Sequence, residues 1–235
     1  MHPIKVSLQF YARNIESLLL LSAVIVLPFL LVHNFTINYV NFIAALTGAK
    51  IVAGFFNLFL LLLFLMIVQI PFAQFVQSHL DGDERPVRHA FRTFLEYGFS
   101  VFVFGLVYVL LVTTGMFLFV VPGLFILVWF YLTPYLVVMK KQPVWRCWKK
   151  AFDMGKRHFF SIFGVILLAS VMEWVISLIG LFTVTYITTS FGAVLFTQLL
   201  LNVIIFPLIA VIFTMYTHQW MSEPSKAEGM ERLEG

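Results

Sequence analysis

Charge is what this sequence has least of. Of its 235 residues only 11% are Asp, Glu, Lys or Arg, and 61% are hydrophobic. A soluble domain carries about 25% charged residues, so the chain lacks the means to coat a water-soluble surface. Cysteine is nearly absent too. Cys147 stands alone, which excludes an intramolecular disulfide and a thiolate zinc site. The six histidines form no i, i+4 pair and none lies deep in an apolar run, so neither zinc nor haem is expected. No GxSxG, Walker or HExxH pattern occurs. The expected catalytic set is therefore empty, no metal or other cofactor is implied, and the chain does not read as an enzyme.

Long apolar runs fill the space. A hydrocarbon core of about 30 Å needs about 20 apolar helical residues. Six such spans are predicted, near 15–34, 51–77, 98–118, 121–139, 159–183 and 191–217. The third and fourth are separated only by the stretch around Pro122-Gly123, which is read as a tight hairpin because proline breaks a helix interior. The fold class is an all-α polytopic membrane protein.

Of the 15 Lys and Arg residues, only Lys50 falls on one side of these spans. The rest flank the first span, lie between the second and third or the fourth and fifth, or follow the sixth. By the positive-inside rule both termini are cytoplasmic, in a bacterial cytoplasmic membrane. The longest outer loop is expected at about residues 35–50.

Three segments share a pattern. Pro3-Ile4, Pro86-Val87 and Pro143-Val144 each open a stretch with a large apolar residue five positions after the proline: Leu8, Phe91 and Trp148. Each reads as an amphipathic helix at the cytoplasmic interface, with proline in its first turn where the missing N–H matters least. Two spans follow each, and the second span of each pair carries a proline expected to kink it: Pro71, Pro134 and Pro207. The expected architecture is three hairpin units, about 2–78, 85–141 and 142–220, in one membrane domain over 1–220. A pseudo-threefold axis would lie along the membrane normal. Residues 221–235 read as a disordered acidic tail.

The third copy, "QPVWRCWKKAFDMGKRHFF", interleaves bases with aromatics. That pattern raises nucleic acid as a partner, but two spans flank it and its apolar residues share one helical face. It is read instead as a surface for anionic lipid headgroups or a partner protein. Trp145 and Trp148 would sit at headgroup depth, and Arg146, Lys149, Lys150, Lys156 and Arg157, with Arg88 and Arg92 of the second copy, would carry the charge.

One acidic residue, Glu173, falls in the middle of a span. Ser170, Ser177 and Gly180 lie at i−3, i+4 and i+7 from it, a small polar stripe suited to packing against another helix. Glu173 is expected to face the bundle interior and to pair with Asn202, with Asn57 or with a tyrosine from another unit.

The run from Gly115 to Gly164, with Val-Pro-Gly at 121–123, Pro134, the basic segment and Gly155, resembles a pattern in bacterial six-helix membrane proteins: the membrane domain of some glycerophosphoryl diester phosphodiesterases and related YciC-like proteins. The resemblance is detailed over about 85–180. It implies a membrane module without an assigned reaction, because the soluble catalytic barrel of those phosphodiesterases has no counterpart here. Two functions are carried forward. One is a binding or accessory module that engages lipid or a partner at its cytoplasmic face. The other is a small transporter or channel with Glu173 in a polar path between kinked helices.

Overall fold

The computed structural model describes residues 3–222. His2 and residues 223–235 of the expected tail lie outside them, whereas Met221 and Ser222 belong to the last helix. The described residues form helices α1 (Pro3–Arg13), α2 (Ile15–Leu21), a π segment (Ser22–Val26), α3 (Leu27–Thr47), α4 (Lys50–Leu80), α5 (Pro86–Leu118), α6 (Val120–Phe130), α7 (Thr133–Lys140), α8 (Val144–Arg157), α9 (Phe159–Ile187) and α10 (Phe191–Ser222). Six continuous helical stretches are long and apolar enough to cross a membrane: Ile15–Thr47, Lys50–Leu80, Pro86–Leu118, Val120–Lys140, Phe159–Ile187 and Phe191–Ser222. The chain is an all-helical, multi-pass membrane protein.

Several boundaries differ from the sequence expectation. The outer loop placed at 35–50 is mostly helix, since α3 runs to Thr47. Three of its polar residues bond back within the helix. Asn34 Nδ2 donates to Leu30 O at 2.9 Å, Thr36 Oγ1 to Val32 O at 2.8 Å and Thr47 Oγ1 to Ile43 O at 2.9 Å. Gly48, at φ 74°, then ends the helix in the left-handed region that glycine adopts freely. The second repeat has no separate surface helix, because Pro86–Leu118 is unbroken and Gly98 interrupts nothing. The starting prolines do sit as expected: Pro3 and Pro86 are the first residues of α1 and α5, and Pro143 immediately precedes α8.

The prolines of the paired spans take different forms. Pro71 and Pro207 lie inside uninterrupted helices. Pro134 instead opens α7, after a turn at Tyr131–Leu132 divides the fourth span. A proline cannot serve the carbonyl four residues back. Phe130 O, orphaned by Pro134, accepts Thr133 Oγ1 at 2.7 Å. Val203 O, orphaned by Pro207, accepts Ser22 Oγ from the π segment at 2.7 Å. These two freed carbonyls are thus each matched by a hydroxyl, as the interior of a membrane protein requires.

Helix α4 is the hub. It packs against α3, α5, α7 and α10, and is buried almost continuously from Leu63 to Val76. The α5–α6 corner closes on two glycines. A Cβ added at Gly115 would lie 3.0 Å from Gly123 Cα, and one added at Gly123 would lie 2.9 Å from the Gly115 carbonyl carbon. This close crossing is the physical content of the Val-Pro-Gly motif. Helix α9 is peripheral, with Ile162 as its one buried residue, and packs mainly on α10.

Helix α8 buries Val144, Cys147, Ala151, Met154 and Gly155. Its seat is α6 and α7. Trp145 stands edge-on to Phe104 at 6.3 Å between centroids, and Trp148 lies 6.4 Å from Phe130. Both tryptophans expected at headgroup depth therefore touch aromatic rings of the third and fourth spans.

Candidate functional site

The i, i+3 spacing of Ser170 and Glu173 puts both on one face of α9. That face, together with residues from every other span, lines a partly open cavity of about 290 Å³, at which Ser170 and Leu61 are exposed. Leu30 of α3, Leu61 of α4, Met116 of α5, Tyr131 at the α6–α7 turn, Glu173 of α9 and Asn202 of α10 line it. Its walls are apolar except for Tyr131, Ser170, Glu173 and Asn202. A volume near 300 Å³ is at the small end of the range for ligand sites.

The structure brings Glu173, Ser170 and Asn202 to the same cavity, together with a tyrosine of the fourth span, Tyr131. Asn202 Nδ2 donates to Gln198 O at 3.0 Å, so one of its N–H groups is held by its own helix. Ser177 is half-buried and lies beyond the cavity lining. The stripe divides its labour. Ser170 and Glu173 face the cavity, while Gly180 packs on α10, where an added Cβ would lie 2.7 Å from Leu201 Cδ1. Asn57 is exposed and lines a separate recess with Asn41 and Lys50, so it does not join Glu173.

Tyr131 has support that the sequence reading missed. Gln69 Nε2 donates to Tyr131 Oη at 3.2 Å. Phe213 packs against Tyr131 and Tyr135, at 4.5 and 6.0 Å between centroids. Gln69 Oε1 and Tyr135 Oη are buried without a partner. Neither residue lines the cavity; both adjoin Tyr131, which does. The available signal was the polar Gln69 two residues before Pro71 in an otherwise apolar run.

The basic candidates lie elsewhere. Arg146, Lys149, Lys150, Lys156 and Arg157 are exposed on α8, as are Arg88 and Arg92 on α5. Trp145 is 58% exposed despite its contact with Phe104. Lys156 Nζ lies 4.1 Å from the Phe152 ring centroid and 5.7 Å from that of Trp129, within cation–π range. Arg92 also lines an open recess of about 440 Å³ with Gln74, Asp83, His89, Glu96 and Lys141. There His89 Nδ1 lies 3.0 Å from Asp83 Oδ2, and this hydrogen bond holds the Asp83 carboxyl below its usual range. The charges in the recess are mixed and exposed. Among the described residues no group of three or more His, Cys, Asp or Glu side chains gathers where it could hold a metal.

Compared with protein families, curated proteins and solved structures, the chain matches none.

Proposed function

We propose that this chain binds a small amphiphile between its membrane spans, the transporter-like of the two sequence readings. One observation carries it: all six spans converge on a single apolar cavity with Glu173, Ser170, Asn202 and Tyr131 in its wall. A packing-only role for Glu173 would favour a filled interior, because voids forfeit dispersion contacts on their lining. Positive-inside charge supports a cytoplasmic position for both termini, and the Pro3, Pro86 and Pro143 pattern supports descent from a repeated two-span unit. The module carries no catalytic residues on this reading.

The test uses the full chain in phosphatidylcholine nanodiscs, titrated calorimetrically with octanol, octylammonium and octanoate against empty nanodiscs. At least one probe is expected to saturate at one per chain. Ala169→Trp, which fills the cavity from α9, and Leu62→Trp, which fills it from α4, should each remove that signal. The proposal is wrong if no probe saturates, or if both variants bind as the wild type does.

A second reading rests on α8. Its exposed Arg146, Lys149, Lys150, Lys156 and Arg157, beside the half-exposed Trp145, suit anionic lipid headgroups at the cytoplasmic face. Each base near an anionic surface contributes about 1 kcal/mol. Changing Arg146, Lys149 and Arg157 together to Gln should deplete co-purified phosphatidylglycerol, measured by lipid mass spectrometry. An unchanged lipid complement would remove this reading.

A further inference from the structure

Resting on the cavity reading above, we infer that the occupant is a single-chain amphiphilic cation, an alkylammonium compound rather than a fatty acid or a phospholipid headgroup. The first argument is charge. Glu173 is an acidic group in a wall otherwise built of apolar and neutral polar side chains, and no Lys, Arg or His lines the cavity. A carboxylate or phosphate entering it would lose its water and meet no cation, which is costly in a low-dielectric site. An ammonium group would meet a carboxyl that can accept its hydrogen bonds in charge-assisted form.

The second argument is aromatic. Phe64, Tyr131, Phe206 and Phe213 all line the same space. Ring faces attract cations through their quadrupole and give anions nothing comparable. One carboxyl with several rings is the chemistry that recognises organic ammonium groups.

The third argument is size. At about 30 Å³ for each water-sized unit, a cavity of about 290 Å³ accommodates roughly ten non-hydrogen atoms. That is one short alkyl chain with its head, and far less than a two-chain lipid.

The panel of eight-carbon probes separates this inference from the reading it rests on. Octylammonium, octanol and octanoate are similar in length and differ chiefly in head charge. In the wild type at neutral pH, octylammonium should bind at least about tenfold more tightly than octanol, the size expected for one hydrogen bond to a charged group, and octanoate should bind most weakly. Glu173→Gln keeps the shape and a hydrogen-bonding head. It should bring octylammonium to within about threefold of octanol while leaving octanol unchanged. If octanol binds as well as octylammonium and the two tryptophan variants still abolish binding, the cavity stands and the cation inference falls. If Glu173→Gln leaves the preference intact, the preference is not read by Glu173 and the inference likewise falls. If no probe saturates, both fall together. Octanol binding to Glu173→Gln also shows whether that variant has folded.

Discussion

Replacing Gly155 by alanine should destabilise the folded chain by about 2–4 kcal/mol, at or above the usual range for overpacking. The reason is where the new methyl group would go. A Cβ built at Gly155 would lie 2.6 Å from Trp129 Cα and 2.8 Å from its carbonyl carbon, with the carbonyl oxygen closer still. These are backbone atoms of α6, which no side-chain rotation can move aside. Either α8 lifts off or α6 bends. Gly164 supplies the control, because an added Cβ there meets nothing within 4 Å. The same substitution in α9 should be neutral or slightly stabilising, since alanine is favoured over glycine in a helix by about 1 kcal/mol. Reversible unfolding in mixed micelles measures both.

Cys147 reports the same event without an engineered cysteine. It is fully buried, with Sγ 3.7 Å from Leu136 O, and burial pushes its thiol up despite Lys140 and Lys150 nearby. Thiol reagents need the thiolate and a path to it. Maleimide labelling of the native chain should therefore be slow, and in Gly155→Ala at least about tenfold faster, since each 1.4 kcal/mol of easier opening is a factor of ten in the open population. Equal stability of Gly155→Ala and Gly164→Ala would show that α8 is not held as described.

Sequence alone conveyed the spans through how little charge it carries. Six long apolar runs name six spans, because a bilayer admits little else. The positions of Pro3, Pro86 and Pro143 correctly marked three helix starts, since proline's tolerance for a first turn is a local property. The outer loop over 35–50 was misjudged because Asn and Thr read as loop residues until their side chains are seen bonding back to their own helix. The seat of α8 was out of reach for a different reason. Gly155 was visible as a glycine of the motif that ends at Gly164, yet only the fold says that Gly155 meets a backbone and Gly164 meets open space.

The candidate site was half legible. Glu173 announced itself as a carboxyl in an apolar run, and helical spacing tied Ser170 to it. Asn202, named in the sequence as a partner for Glu173, lines the same cavity. Asn57 failed because its place depends on how α3 and α4 meet, which no local period encodes. Tyr131 and Gln69 belong to different spans, and their 3.2 Å contact spans 62 residues of chain. The dependence of a membrane interior on such long-range polar partners is where the strongest remaining prediction lies.

Ser22→Ala should cost about 1–3 kcal/mol, although it removes a single oxygen. Pro207 has no N–H to offer Val203 O one turn earlier. That carbonyl sits inside the bundle, where water cannot serve it. Ser22 serves it from another span, with Oγ at 2.7 Å and no exposure of its own. The local backbone helps to deliver it. Between Ser22 and Val26 the helix is widened to a π segment, with Leu27 N–H reaching back to Ser22 O, and Pro28 follows at once. A bulge in the first span is thus matched to a proline in the sixth. The test of that logic is a double-mutant cycle. Alanine at 207 restores an N–H for Val203 O, so in a Pro207→Ala background the loss of Ser22 should cost less than half as much, a coupling of about 1 kcal/mol or more. Tyr11→Phe is the contrasting case. Tyr11 Oη donates to Ile204 O at 2.8 Å from an exposed position, and Leu208 still carries an N–H for that carbonyl. Its removal should change stability by no more than about 0.5 kcal/mol. If Ser22→Ala costs the same with and without Pro207, the hydroxyl is not answering the proline, and the pairing of bulge and kink is coincidental.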